Sequence, residues 1–410
     1  VLMTGTTVLV DDDLLERIFP RFEQWVSERN LNIKFDYIER GGYFEIRGKG
    51  KDWLPRHYTM MITEMFQDGV TKCLVGTRGL LGEGWDASRI NVLVDLTTVT
   101  TSMSINQLRG RSFRLDKHWP EKVANNWDIV CLADEFTKGF DDYLRFKRKH
   151  KQLYGVCDDG AIEKGVGHVH AAFTEAEPEG VSETMEIFNE EMLMRARNRG
   201  RARELWGIGQ PFNAVPREAI EIKGSFGEGF PPANRIGLVA WSDESLIQAI
   251  GDAVACSLQA LGLIQFDAKV GGGSRGGGWM RAYLENASEE ESEIFAEAMQ
   301  EILGPLDNPR YVIPREVKVV SETWLSEMLP KVIAKYFRRS ENILSMYHVV
   351  PSKLCRNLED AKVFEQQWNW KVSPGEVMYG HSKKGKEWVS EIKMAGLAPK
   401  SSFHRKSVFT

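Results

Sequence analysis

The chain has 410 residues, 42% of them apolar and 27% charged, with a formal net charge of −5. That length holds two or three domains with large cores, and the composition is ordinary for a globular protein. The acidic balance excludes a uniformly basic nucleic-acid coat while leaving room for a local basic groove, and no apolar run approaches the roughly 18 residues of a membrane span. Cys73, Cys131, Cys157, Cys256 and Cys355 are widely spaced, with neither a zinc-ligand pattern nor a disulfide framework. A reduced, cytoplasmic setting is the default, no metal site is expected, and Cys73 and Cys131 read as small buried strand residues. Val1–Val10 lacks a basic leader and a cleavage site, so no signal peptide is expected there. It opens directly into strand-like sequence without an initiator Met, as a piece of a longer polypeptide would.

From Val1 to about Tyr154, strand and helix signals alternate as in an α/β lobe with a parallel sheet. A strand at Val1–Met3 precedes a helix over Asp11–Arg29, where Leu14, Leu15, Ile18, Phe19, Phe22 and Trp25 recur at helical spacing. Ile33–Arg47 reads as a hairpin around Gly41-Gly42. A helix over Arg56–Gln67, a strand at Lys72–Val75, a glycine-rich turn, a strand at Ile90–Leu96, a further helix and a strand at Asp128–Leu132 complete the lobe. Residues 155–223 are expected to form a mainly helical connector, broken over Val156–Gly180. Gly224–Pro232 is the best linker signal. Residues 224–410 then read as a second α/β (α+β) accessory domain, with helices at Ser245–Leu261, Glu289–Leu303, Trp324–Arg338, Ala361–Trp368 and Glu387–Ala395. Its strands are expected at Trp279–Leu284, Arg310–Val320, Tyr347–Val350 and Val377–Tyr379.

Two short motifs carry the chemistry. The first is Leu74-Val75-Gly76-Thr77-Arg78-Gly79-Leu80-Leu81-Gly82-Glu83-Gly84-Trp85-Asp86. A strand running into such a loop lets backbone N–H groups approach phosphate oxygens. The second is Gln107-Leu108-Arg109-Gly110-Arg111-Ser112-Phe113-Arg114. On one helix Gln107, Arg111 and Arg114 fall within roughly 60° of each other, presenting an amide and two guanidiniums on one face, and Gly110 is expected to let backbones approach closely. Rigid, permanently charged forks suit a phosphoryl group in flight. A tight ligand-free turn and a solvated basic helix face are the plainer readings of either motif alone.

Together the motifs resemble motifs V and VI of the second RecA-like lobe of superfamily-2 helicases and translocases. The Glu83-Gly84-Trp85-Asp86 run echoes the type-III-restriction-like branch. The resemblance covers about residues 1–150. It implies that Arg111 and Arg114 are arginine fingers, that Gln107 arranges the attacking water or phosphate, and that Asp86 contacts the nucleotide sugar. It also implies that Gly84 permits the turn and that Thr77, with Arg78 beside it, touches the nucleic-acid backbone. No G-x-x-x-x-G-K-[ST] stretch occurs in the chain, so ATP and Mg²⁺ would be held mainly by an absent first RecA-like lobe. The implied function is the rear part of an ATP-dependent helicase or translocase on nucleic acid, DNA favoured, inactive alone. The alternative is a non-catalytic scaffold that keeps the lobe and recruits a protein partner through residues 224–410.

Outside the motifs, Arg145, Lys147, Arg148 and Lys149 form a basic run that could meet phosphates. Arg195, Arg197, Arg199, Arg201 and Arg203 follow a glutamate-rich stretch, which favours ordinary pairing along one helix. Gly271–Gly278 lacks the lysine and hydroxyl of a phosphate loop and reads as a mobile hairpin tip or loop. His168 and His170 lack a third ligand. Trp368 and Trp370 with Lys383, Lys384 and Lys386 suggest a stacking surface, against the plainer reading of a half-buried core beside a lysine turn.

Overall fold

The computed structural model describes residues 1–82, 85–207, 209–211, 215–224, 241–321 and 339–410, all of mixed α/β structure. They form two compact units: residues 1–149 with 192–202, and residues 150–191 with 203–410. Residues 155–223 are therefore shared between the two rather than forming a unit of their own.

The first unit contains β1 (Leu2–Met3), β2 (Val8–Asp11), α1 (Leu15–Glu28), β3 (Lys34–Glu39), β4 (Tyr43–Lys49), α2 (Pro55–Gln67) and β5 (Val75–Gly76). There follow β6 (Val92–Asp95), α3 (Ser102–Ser112), β7 (Asn125–Asp128) and α4 (Asp141–His150). The hairpin β3–β4 turns at Gly41 and Gly42, whose φ values of 67° and 92° favour glycine. The apolar stripe of α1 (Leu15, Ile18, Phe22, Trp25) packs with Tyr58, Met61, Ile62 and Met65 of α2 over Met3, Val8 and Val10. Each such side chain contributes roughly 1.5–3 kcal/mol through burial.

The sheet departs from the parallel arrangement expected of a RecA-like lobe. Its order is β3-β4-β2-β1-β5, and only β1 and β5 run parallel. The hairpin β3–β4 joins the sheet through β2, so antiparallel pairing dominates. A separate parallel pair, β6 with β7, is the other parallel contact among the described residues. The strand expected at Asp128–Leu132 lies instead at Asn125–Asp128.

The second unit begins with β8 (Tyr154–Val156) and β9 (Ile162–Lys164), followed by α5 (Pro178–Arg197), and the chain crosses between the units at 149/150, at 191/192 within α5 and at 202/203 in the helix that follows. Next come α6 (Arg199–Trp206), β10 (Arg217–Gly224), α7 (Asp243–Ala260), β11 (Lys269–Arg275), β12 (Trp279–Glu285) and α8 (Glu289–Leu303). The last elements are β13 (Tyr311–Ser321), β14 (Arg339–Val349), α9 (Leu358–Lys371), β15 (Met378–Tyr379), α10 (Lys383–Met394) and β16 (Ser401–Phe409). Ser242 and Ser288 open α7 and α8 with reciprocal capping boxes. Most of the linker signal at Gly224–Pro232 and the helix expected at Trp324–Arg338 lie outside the described residues.

A six-stranded sheet, β11-β12-β10-β16-β9-β8, organises this unit. Because side chains alternate across a strand, its two faces differ in kind. Ile220, Ile222, Met280, Ala282 and Leu284 share an apolar core with α7, α8 and α9. Trp368 of α9 is fully buried there and donates to the Pro314 carbonyl at 3.1 Å. It belongs to the core, leaving Trp370 exposed.

The opposite face is ionic. Arg275, Arg281 and Lys406 meet Glu221 of β10 and Glu163 of β9, with Asp158 bound by Arg275 and Asp159 by Arg281. Arg281–Glu221 measures 2.7 Å, and Lys406 lies 2.9 Å from both Glu163 and Glu221. Burial alone would raise the Glu163 carboxyl, but Lys406, Arg281 and Arg275 outweigh it and hold it at about 2. The adjacent Cys157 thiol is pushed up to about 12, mainly by burial, and is inert.

The glycine-rich stretch expected to be a loop supplies most of an edge strand. Gly272 has φ 149°, and a Cβ there would collide with the Arg281 carbonyl oxygen. A Cβ at Gly271 would lie 2.7 Å from the Tyr283 ring. Glycine is needed because the neighbouring strand and its large side chains occupy that space.

His348 of β14 is fully buried, with Nδ1–H donating to the Ile302 carbonyl at 2.8 Å. Burial first, and then the charge of Arg315, pushes the imidazole down to about 3. The unfolded chain thus takes up this proton near pH 6.5 and the folded chain does not. The stability tied to the neutral ring is complete above pH 6.5 and falls toward pH 3, by up to about 1.4 kcal/mol per pH unit. Glu163 acts only below its ordinary value of 4.5, so between pH 7 and 5 the part of the change that differs between wild type and a His348 variant belongs to the histidine. Urea midpoints at those two pH values should differ less in His348→Gln than in the wild type; equal differences would remove His348 as the source.

Candidate functional site

β5 ends at Gly76 and the chain enters the first motif. Thr77 closes a turn, its carbonyl accepting from the N–H groups of Leu80 and Leu81, both at 3.0 Å. A Cβ on Gly76 would lie 2.7 Å from Leu81, and one on Gly82 would strike the Arg78 carbonyl, so these two glycines have a steric reason. Gly84 lies outside the described residues. Trp85 anchors the far end of the loop, its indole N–H donating to Thr63 of α2 at 2.7 Å.

The second motif folds onto this loop. Arg111 is 7% exposed, and its guanidinium donates to the carbonyls of Leu81 and Trp85 while Nε reaches that of Gln107 at 3.3 Å. Its Cζ sits 5.8 Å from the centre of the Trp85 ring. Burial first, then the charge of Arg114, lowers its pKa, against the pull of Asp86. Arg114 forms an ion pair with Asp86 at the loop's end, and both side chains are substantially exposed. The motifs therefore meet at two points, one buried and one open to solvent.

Three expectations change here. α3 ends at Ser112, so Arg114 lies beyond the helix and does not share one helical face with Gln107 and Arg111. A Cβ on Gly110 would meet nothing within 4 Å, so close backbone approach is not its reason. Lys149 is buried, locked between Asp95 of β6 and Asp128 of β7, and is not available to a phosphate. Arg109 joins the same cluster through Asp128 at 2.6 Å. The cluster seats α3 and α4 against the β6–β7 pair.

No protein-family model, curated protein or solved structure matches the chain.

Gln107, Thr77 and Arg78 are exposed, and Arg78 donates to Ser104 of α3 at 3.2 Å. On α4, Arg148 is exposed, Arg145 pairs with Asp142 one turn back, and Lys147 lies 5.6 Å from the Tyr143 ring. Arg199 donates to the Val123 carbonyl at 2.7 Å. Cys73 and Cys131 are exposed rather than buried in strands.

Among the described residues, one group of three carboxylates is close enough to share an ion, the exposed run Asp11, Asp12 and Asp13. His170 is buried against Glu191 at 2.7 Å, and His168 meets the Gly165 carbonyl at 2.6 Å. No helix among the described residues is long and apolar enough to cross a membrane. The Lys149 cluster and the ionic sheet face escaped the sequence reading. Their one signal was a charged residue ending or interrupting an apolar strand, as at Asp95, Asp128 and Glu221.

Proposed function

We propose that the first unit, despite its largely antiparallel sheet, serves as the second RecA-like lobe of an ATP-driven helicase or translocase acting on nucleic acid, DNA in preference to RNA. The single observation that carries this reading is the meeting of Arg114 with Asp86, two residues 28 positions apart in the motifs that would complete an ATP site. Arg114 is held at the rim with its charge open to solvent, as a group that must reach a γ-phosphate on another lobe requires. Asp86 fixes it while the nucleotide is absent and would turn to the ribose when nucleotide binds. Arg111 differs from Arg114. Its burial and three carbonyl partners make it a clamp that shapes the loop, supporting the finger rather than reaching the phosphate. Exposed Gln107 would orient the water. The phosphate loop and Mg²⁺ would come from a first lobe, and closure between lobes would move the strand.

The buried state of Arg111 favours a second reading for that residue alone, a purely structural one, and the scaffold alternative extends it to the whole lobe. ATP hydrolysis in a two-lobe protein separates the readings. Arg114→Lys keeps the charge but not the planar fork, so a finger loses most activity there while a scaffold is unaffected.

Strand contact is assigned to Thr77, Arg78, Arg145, Lys147 and Arg148. Neutralising Arg145, Lys147 and Arg148 together should weaken single-stranded DNA binding and flatten its salt dependence by about 0.7 in logarithmic slope per lost phosphate contact. A labelled oligonucleotide titrated at several salt concentrations gives both quantities. An unchanged slope would move the strand path, most directly to the exposed Lys383, Lys384 and Lys386 of α10.

A further inference from the structure

At one end of the ionic sheet face a cavity of about 300 Å³ opens, lined in part by Asp159, Arg217, Tyr283, Glu285, Asn286 and Thr410, with Ala161 at its wall. Arg217 is 8% exposed, yet among the described residues its one protein acceptor is the Leu284 carbonyl, reached by Nη1 at 3.0 Å. The register Ala219↔Tyr283 places Arg217 across from Glu285 on the neighbouring strand. A cross-strand arginine and glutamate ordinarily pair; these do not. Glu285 instead leans toward Gly271, where a Cβ would stand 3.0 Å from its Oε1. The missing side chain at Gly271 gives the carboxylate a resting place away from the guanidinium. Within the cavity Arg217 and Glu285 thus stand apart, each with hydrogen-bonding capacity unused by the protein, beside Asp159 and the terminal residue Thr410. Asp159, by contrast, is already engaged by Arg281.

We propose that this cavity binds a small zwitterion of the size of a free α-amino acid, with its carboxylate on Arg217 and its ammonium on Glu285. A nine-tenths-buried guanidinium without a carboxylate is costly to leave unpaired, and a planar carboxylate fits its fork. Glu285 opposes a multiply charged phosphate and favours a ligand bearing its own cation. Ala161 and the Tyr283 ring offer the apolar wall for a short aliphatic side chain. The proposal is independent of the ATPase reading, since the cavity lies wholly within the second unit.

Isothermal titration of the intact chain with L-leucine, N-acetyl-L-leucine and L-leucinamide tests it. L-leucine should bind, and each blocked analogue should bind at least about tenfold more weakly. Arg217→Met should abolish binding. Glu285→Gln, at an exposed position, should bring N-acetyl-L-leucine level with L-leucine, and it carries the test should Arg217→Met fail to fold. Absence of L-leucine binding at millimolar concentration, equal binding of the three compounds, or unaltered selectivity in Glu285→Gln would each overturn the assignment.

Discussion

Replacing Arg281 with methionine should cost the second unit about 3–5 kcal/mol, a large share of the roughly 5–15 kcal/mol that holds a typical domain folded. Arg281 is 2% exposed and serves Asp159, Glu163 and Glu221 at once. Methionine matches its bulk, so the expected loss is electrostatic: two fully buried carboxylates would keep only Arg275 and Lys406 as partners. The same reasoning makes a combined change milder. Replacing Arg281 by methionine together with Glu221 by glutamine removes opposite charges from one network, and should recover part of the loss. Urea midpoints of the three proteins measure this, and a loss below about 1 kcal/mol for the single change would mean that the network contributes little.

Arg114→Ala in a two-lobe protein should lower ATP hydrolysis by about 10³-fold or more while leaving single-stranded DNA affinity nearly unchanged. On the proposed reading the guanidinium would act on charge that develops only as the phosphoryl group transfers, so ground-state binding should not register its loss. Arg111→Ala should also lower hydrolysis, through a different cause. Without the clamp on the Leu81 and Trp85 carbonyls the loop loses its shape, and a lower unfolding midpoint should accompany the lost activity. Normal stability in Arg111→Ala together with lost hydrolysis would return that residue to the phosphate.

The periodic elements were legible in the sequence because the spacing of their apolar residues marks the buried face. α1, α2, α7 and α8 lie close to where their sequence patterns put them. The strands of the ionic face were not legible. β10 mixes Arg217 and Glu221 with Ile220 and Ile222, and β11 is built on three glycines, so neither shows the signal of a half-buried strand. Their identity comes from partners more than a hundred residues away, as with Arg275 and Asp158. At the candidate site the residue types of the two motifs were legible, but their division of labour was not. Arg111 and Arg114 look alike in sequence and differ in burial because α3 ends between them. Lys149 sat in a basic run in which Arg145, Lys147 and Arg148 are at least partly exposed, and only the carboxylates of Asp95 and Asp128 reveal that it faces inward.

On the proposed reading, this chain would complete an ATP site whose phosphate loop comes from another lobe. The direct measurement is phosphate release from ATP with Mg²⁺ and single-stranded DNA, by the 410-residue chain alone and by a protein that joins it to its phosphate-loop lobe. The account predicts background release from the chain alone and DNA-dependent turnover from the joined protein, lost in Arg114→Ala. Turnover by the chain alone at an ordinary ATPase rate, or undiminished turnover in Arg114→Ala, would contradict it.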